Sequence, residues 1–260
     1  MNLEQYIPRE HGAWAMWIVP MLSAVLVTHF SLSFLLLFLC FALLYVAHHP
    51  IVMLAKRGGN VRTGEKKFVV VVAVPALVIG TALIVIYNLP WLALFGMLEL
   101  ALFIFSVKAF VGKEQRTFTN ELTIVAALTL SAPASYYTIT HVVDGKAVML
   151  YILNFLFFGS SVFYVKMIIE FLRTKGFWRG EAEKARSMTI AYHAALVAVI
   201  LLMSIMKSVN NLVLLGFLPM LVQVAVGVFS KNTRVNFTRL GVALIVQSVV
   251  FLAAVGFFWK

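Results

Sequence analysis

The amino-acid sequence predicts an all-α polytopic membrane protein with nine transmembrane helices. Of the 260 residues, 62% are hydrophobic and 12% are charged, and the mean hydropathy is +0.98. Soluble domains average roughly 45–50% apolar and about 25% charged residues. About 20 apolar residues cross a bilayer, so the chain can form nine spans as a single transmembrane domain and has no room for a large soluble domain.

Apolar runs bounded by polar clusters, glycines and prolines place the individual helices. The first run is short and contains Pro20. We interpret it as a span rather than a signal peptide, because no small-residue cleavage site precedes the next run. The predicted helices cover residues 13–29, 32–55, 68–87, 90–108, 118–140, 147–172, 188–207, 211–230 and 238–259.

A weak internal repeat suggests how these helices are organised. Tyr45-Val46 and Tyr164-Val165 each lead through a partly polar helix end into a basic loop that contains glycine. The pattern predicts two four-helix pseudo-repeats, at about 13–108 and 118–230, followed by a ninth helix at 238–259.

The basic residues lie mostly on one side of the predicted membrane. Seventeen of the 21 lysines and arginines fall on the side of the predicted N-terminus, whereas only Lys146, Lys207 and Lys260 fall on the other side. Cytoplasmic loops carry an excess of lysine and arginine. We therefore expect a cytoplasmic N-terminus and an external C-terminus in a bacterial inner membrane.

This distribution also accounts for the formal net charge of +11. The excess cations set the topology and attract anionic lipid, so we do not expect nucleic acid as a partner and do expect membrane lipid. The single cysteine, Cys40, lies in an apolar run and excludes an intramolecular disulfide or a cysteine-based metal cluster. The oligomeric state is left open.

The densest block of reactive side chains precedes helix 1 and consists of Arg9, Glu10 and His11. We predict that this block contacts a ligand. The structural alternative is a helix start, with Glu10 near the positive end of the helix dipole and Trp14 and Trp17 as interfacial anchors.

Polar stripes mark the predicted cytoplasmic ends of helices 2 and 6, and we predict that they bind an anion. Ionisable groups in spanning helices usually face the protein interior. The alternative is that Lys166 pairs with Glu170 and the other side chains extend to the lipid headgroups. The stripes consist of His48, His49, Lys56 and Arg57 on helix 2, and of Lys166, Glu170 and Arg173 on helix 6.

Helix 5 begins at the same face with Asn120 and Glu121. A run of small residues follows and predicts close packing that brings Glu121 into the bundle. We expect Asn120 to bind ligand, with capping by Thr119 or Asn120 as the alternative. Glu99, in the middle of helix 4, must be protonated or paired, as a proton relay or as a structural carboxyl.

The predicted cofactor is unspecified, and no metal site is predicted. His11, His48, His49 and His193 all fall towards the cytoplasmic half, and imidazoles on facing helices can hold haem or a metal. No zinc-protease, covalent-haem, Walker or dinucleotide-binding motif accompanies them, so haem is not favoured.

Two segments resemble the YwiC-like family of bacterial integral membrane proteins. They are the opening sequence from Pro8 to Trp14, and Asn120-Glu121-Leu122-Thr123 with the small residues that lead to Ala132-Pro133. This resemblance implies a membrane location and a family, without implying an activity.

The architecture is similar to that of the UbiA-type intramembrane prenyltransferases, which also have nine helices and long cytoplasmic loops after helices 2 and 6. The resemblance implies aspartates at those two helix ends, which hold Mg²⁺ on a prenyl diphosphate. This sequence has one aspartate, Asp144, on the predicted outer side. The Mg²⁺ aspartate site is therefore absent, and cations stand in its place.

The combined hypothesis is a divergent UbiA-like protein with a cytoplasm-facing cavity that binds an anionic amphipathic or isoprenoid ligand, such as a phospholipid. Whether it is an enzyme is left open. If it catalyses lipid chemistry, His11 or Glu121 is the expected acid–base residue. The alternatives are a small-anion or metabolite transporter, with helices broken at Pro20, Pro50, Pro75 and Pro133, and a non-catalytic assembly factor.

Overall fold

The computed structural model describes residues 11–56, 63–112, 117–207, 209–229 and 235–259, and all regular structure in these ranges is helical. Two interrupted spans, Phe118–Thr140 and Asn211–Phe229, are each formed by more than one helical element. The elements are α1 (His11–Val27), α2 (Leu32–Lys56), α3 (Thr63–Val85), α4 (Trp91–Val111), α5 (Phe118–Thr129), α6 (Ser131–Thr140), α7 (Gly145–Arg173), α8 (Glu181–Ile205), α9 (Asn211–Leu214), the 3₁₀ turn (Leu215–Phe217), α10 (Leu218–Phe229) and α11 (Phe237–Phe258).

The described ranges contain 8 helical segments long and apolar enough to cross a membrane, and α1 adds a shorter apolar helix. This arrangement confirms the predicted polytopic helical protein. Two helices begin more than one turn earlier than predicted, α3 at Thr63 and α8 at Glu181. Their first turns are charged, and acidic residues there favour the positive helix end, so each helix extends beyond the apolar run that marked it.

The chain forms two compact units, Met1–Tyr151 and Ile152–Lys260. The first unit comprises α1 to α6 with the beginning of α7, and the second comprises the remainder of α7 with α8 to α11. Each unit is described by itself. The two four-helix pseudo-repeats stay a prediction.

In the first unit, α6 is the innermost helix, because every residue from Ser131 to Ile139 is buried. Small side chains permit this close packing. The Ser131 hydroxyl donates to the Trp17 carbonyl oxygen of α1 at 3.2 Å, and the Ser33 hydroxyl of α2 donates to the Thr138 carbonyl oxygen at 3.2 Å. The part of the small-residue run that lies on α6 is therefore buried.

The break between α5 and α6 has a local cause at Pro133. Proline has no N–H group and cannot donate to the carbonyl four residues earlier, which belongs to Thr129. The backbone tightens there, and the Leu130 N–H donates to the Ala127 carbonyl oxygen at 3.1 Å. Pro20, Pro50 and Pro75 were also expected to break their helices, and this expectation is wrong, because α1, α2 and α3 run through them.

In the second unit, three aromatic rings form the centre of the core. Phe157 of α7 stacks on Phe251 of α11 with 4.4 Å between ring centroids. Phe217 of the 3₁₀ turn meets both rings, at 6.0 Å from Phe157 and 5.3 Å from Phe251. The interrupted span therefore packs against α11 through the residue at its break.

Candidate functional site

The predicted site residues fall into three groups. His48 and His49 on α2 and Asn120 and Glu121 on α5 belong to the first unit, whereas Lys166, Glu170 and Arg173 on α7 belong to the second. Arg9, Glu10 and Arg57 lie outside the described residues. His11 and Lys56 are the terminal residues of α1 and α2, and their side chains lie outside the described part.

The start of α5 differs from the expected cap. The Thr117 side chain is the N-cap and accepts the Asn120 backbone N–H at 3.3 Å. Neither Thr119 nor Asn120 caps the helix, so that alternative is wrong. Asn120 is instead buried, with 3% of its surface exposed, and Glu121 beside it is half-buried. A polar amide and a carboxylate thus enter the first unit at the positive end of a helix.

Aromatic rings of α1 and α2 pack together in the core of the first unit. We call Trp14, Trp17, Phe38 and Tyr45 the aromatic cluster. Trp14 meets Tyr45 edge-on at 4.8 Å between centroids, and Trp17 lies 5.1 Å from Phe38 and 5.8 Å from Tyr45. Trp17 is 1% exposed and therefore lies in the core, so its expected role as an interfacial anchor is wrong.

The two histidines of α2 are neighbours in sequence and therefore point in different directions on the helix. His48 is half-buried, and its ring meets the ring of Phe103 on α4 edge-on at 5.2 Å between centroids. His49 is also half-buried. Both side chains are consequently in the first unit, with Asn120 and Glu121.

In the second unit, the stripe on α7 contains an ion pair. The Arg173 guanidinium lies 2.6 Å from the Glu170 carboxylate, one turn earlier, and the arginine side chain is 55% exposed. Such a pair contributes little stability when it is open to water. Lys166, one turn earlier still, is half-buried.

A polar contact that sequence reasoning missed joins α7 to α8. The His193 Nε2 atom lies 2.7 Å from the Ser160 hydroxyl, and its Nδ1 atom lies 2.7 Å from the Thr189 carbonyl oxygen. A carbonyl only accepts hydrogen bonds, so Nδ1 donates and Nε2 accepts from Ser160. Both ring nitrogens are therefore engaged by protein atoms, which gives His193 an interhelical role. Ser160 and His193 are 33 residues apart on different helices, so the helical periodicity of the sequence does not predict their contact.

The described residues contain no cluster of three or more histidine, cysteine, aspartate or glutamate side chains that could hold a metal ion. The chemistry available in the first unit is instead that of a buried amide, a carboxylate and imidazoles beside aromatic rings. This combination is suited to a ligand with a polar end and an apolar body.

Fold and polar contacts at membrane depth define the class of this protein: an integral membrane protein with multiple helical spans. The chain belongs to the family described as YwiC-like protein, whose sequence model matches residues 7–136. This match covers α1 to α5 and part of α6, and so lies within the first unit.

Two relatives extend the comparison. The chain is 26% identical to the protein named "Uncharacterized protein YwiC" of Bacillus subtilis over 67% of this chain and 72% of that protein. It is 29% identical to an "Uncharacterized protein" of Haemophilus influenzae over 66% of this chain and 71% of that protein. No solved structure matches the chain, and the UbiA-like architecture stays a prediction.

Proposed function

We propose that this membrane protein binds an anionic amphipathic or isoprenoid ligand in the first unit, where α1 and α5 begin. The observation that carries the proposal is the burial of Asn120 at the start of α5. Polar side chains are expensive inside membranes and usually serve an internal partner or a ligand. Asn120 also lies within the segment that matches the family.

Other features of the first unit are consistent with such a ligand. A helix N-terminus favours a negatively charged group through its dipole and its unpaired N–H groups, and α5 packs against α1. The aromatic cluster on α1 and α2 offers an apolar surface for a hydrocarbon chain. We expect His48, His49 and Glu121 to contact the polar end of the ligand, with Arg9, Glu10, His11, Lys56 and Arg57 joining them. The expected role of Lys166, Glu170 and Arg173 in binding an anion stays a separate prediction.

Native mass spectrometry of the detergent-purified protein tests the proposal. We expect a co-purified isoprenoid or phospholipid on the wild type, or binding of an added prenyl phosphate. Asn120→Leu should lose this ligand. Asn154→Leu is the matched control, because it removes another fully buried asparagine, in the second unit, and it should retain the ligand.

Two outcomes contradict the proposal. One is a wild-type protein that binds neither class of lipid, and the other is an equal loss of lipid from both leucine variants. Size-exclusion chromatography of each variant separates loss of binding from loss of folding. Turnover of a prenyl diphosphate, with and without Mg²⁺, tests whether binding leads to catalysis. Metal-dependent turnover would contradict the inference drawn from the missing aspartates.

The proposed site faces the cytoplasm because the basic residues lie on the same side of the cell membrane as the starts of α1 and α5. This topology places the N-terminus inside and the C-terminus outside. A C-terminal alkaline phosphatase fusion should be active, and a C-terminal green fluorescent protein fusion should be dark. The reverse pattern would refute the orientation.

A second candidate function is transport of a small anion or metabolite, and one observation favours it. Glu99 lies within the membrane span of α4, and its Oε1 atom is inaccessible to solvent. Buried carboxyls of this kind mark ion and proton pathways. Flux into proteoliposomes that falls in Glu99→Gln would support transport, whereas an absence of flux for the anions tested would leave ligand binding as the function.

A further inference from the structure

Glu99 lies on the face of α4 that points into the first unit. The residues of this face recur at helical spacing, and at its two ends Leu92 and Ser106 are buried. The residues between the ends are half-buried, whereas neighbours such as Met97 and Leu98 are exposed. In order, the inward face consists of Leu92, Phe95, Glu99, Phe103 and Ser106.

The depth of Glu99 places it in the hydrocarbon region. With a rise of 1.5 Å per residue, Glu99 lies about 12 Å along α4 from Trp91 and about 18 Å from Val111. The apolar layer of a bilayer is about 30 Å thick. Neither end of the helix is close enough for the carboxyl to reach water along α4.

Aromatic contacts flank Glu99 one helical turn away on each side. Phe95 lies 6.4 Å from the ring of Tyr137 on α6, and Phe103 lies 5.2 Å from the ring of His48 on α2. These contacts bring α2, α4 and α6 together around the level of Glu99.

The titratable groups near this level come from α2 and α6. The Cys40 thiol of α2 lies within electrostatic range of the Glu99 carboxyl and donates to the Ala76 carbonyl oxygen of α3 at 3.2 Å. Tyr137 and His48 are the titratable members of the flanking contacts. The residues of α3 from Phe68 to Val85 include no titratable side chain. On α5, Glu121 is the titratable residue of the first turn. None of these groups supplies a fixed positive charge.

The Oε1 atom of Glu99 is inaccessible to solvent and has no hydrogen-bond partner among the described residues. An ionised carboxylate without a partner in an apolar environment has a large desolvation penalty. Binding of one proton removes the charge and hence most of this penalty. Protonation alone therefore allows the carboxyl to stay buried.

We propose that Glu99 is a reversible proton-binding site within the bilayer, where the carboxylate takes up and releases one proton. A proton-linked carrier or a proton-linked conformational change would use this chemistry. The site is distinct from the lipid site at Asn120 and does not depend on it.

A lipid-soluble carbodiimide tests for the protonated acid. The carboxyl transfers its proton to a carbodiimide nitrogen while its oxygen bonds to the central carbon, and migration of the acyl group to nitrogen leaves a stable N-acylurea. Peptide mass spectrometry of labelled proteoliposomes should find the adduct at Glu99. We expect the adduct to decrease as the pH of labelling rises, and to be lost in Glu99→Gln. Glu183→Gln changes an exposed glutamate of α8 and should retain the adduct.

Infrared spectroscopy provides a second measurement that needs no reagent. The wild type should show the carbonyl stretch of a protonated carboxylic acid, which Glu99→Gln removes and Glu183→Gln leaves in place. Transfer to D₂O should shift this band if the proton exchanges. Native mass spectrometry of Glu99→Gln reports separately on lipid binding, so failure of one proposal is distinguishable from failure of the other.

Each result decides the matter. A protonated band that shifts in D₂O, with an adduct at Glu99, supports the proposal. Absence of the band from the wild type even at the lowest pH of labelling overturns it, because the carboxyl is then ionised throughout. A band that does not shift also overturns it, because the proton is then permanent and the carboxyl structural. If Glu99→Gln fails to fold, the D₂O measurement on the wild type and on Glu99→Asp still separates these outcomes.

Discussion

Replacing Gly216 by alanine should destabilise the second unit. Gly216 lies in the 3₁₀ turn of the interrupted span, beside α11. An ideal Cβ atom at this position would lie 2.9 Å from the Ala254 Cβ atom and 3.2 Å from the Phe251 Cα atom. The second contact is with backbone, so a change of side-chain rotamer cannot relieve it. The 3₁₀ turn and α11 must separate by a few tenths of an ångström.

The expected size of this effect follows from overpacking in well-packed cores, which costs about 1–3 kcal/mol. Phe251 is fully buried and stacks on Phe157 at 4.4 Å, so separation of the helices also disturbs the aromatic core. For a chain of this length, 1 kcal/mol corresponds to a shift of about 2–4 °C in the unfolding midpoint. We therefore expect Gly216→Ala to lower the apparent midpoint by about 4–8 °C, which corresponds to about 2 kcal/mol.

Thermal unfolding in one detergent at one heating rate measures the difference, because the apparent midpoint depends on both. Gly241→Ala is the matched control. It lies on α11, and its added Cβ atom would meet no atom within 4 Å. Removing a helical glycine there should be neutral or stabilising by up to about 1 kcal/mol. Equal midpoints for the two variants would refute the close approach of the 3₁₀ turn to α11.

Three further predictions concern other parts of the core. A double-mutant cycle on Ser160→Ala and His193→Gln should give a coupling of about 0.6 kcal/mol and no more than about 1.7 kcal/mol, the range of interhelical hydrogen bonds in membranes; zero coupling would show that the two side chains do not interact. Trp17→Ala should cost about 3–5 kcal/mol because it removes a buried ring, whereas Trp91→Ala, at 50% exposure, should change the melting midpoint far less; similar losses would contradict the placement of Trp17 in the core. Cys40 is buried and free, so a water-soluble maleimide should label it only after unfolding in detergent, and rapid labelling of the folded protein would contradict its packing against α3.

Hydropathy alone predicted the helices, because a segment that crosses a bilayer must satisfy its own backbone hydrogen bonds and be apolar over about 20 residues. The predicted helix starts and helix breaks were wrong where this constraint does not apply. At Thr63 and Glu181 the helices extend into charged turns that hydropathy does not report. At Pro20, Pro50 and Pro75 the helices continue, because neighbouring helices and local adjustments tolerate proline within membrane spans.

The candidate site was only partly accessible from the sequence. The position of Asn120 and Glu121 at the start of a helix followed from the polar residues before an apolar run. The burial of Asn120 did not follow, because the sequence also allowed Asn120 to cap the helix, and only the structure shows that Thr117 is the cap. Likewise, a tryptophan such as Trp17 near the start of a span is typical of an interfacial anchor. Only its contacts with Phe38 and Tyr45 place it in the core.

The sequence by itself determined that the chain is a helical membrane protein with multiple spans, because this property depends on composition and local hydropathy. The tertiary structure alone decided which polar groups meet. Ser160 contacts His193, which is 33 positions away in the sequence, and Glu99 lies between two aromatic contacts that α4 makes with α2 and α6. In an apolar chain every face of a helix is hydrophobic, so periodicity does not reveal which face is inward, and only packing between helices selects it.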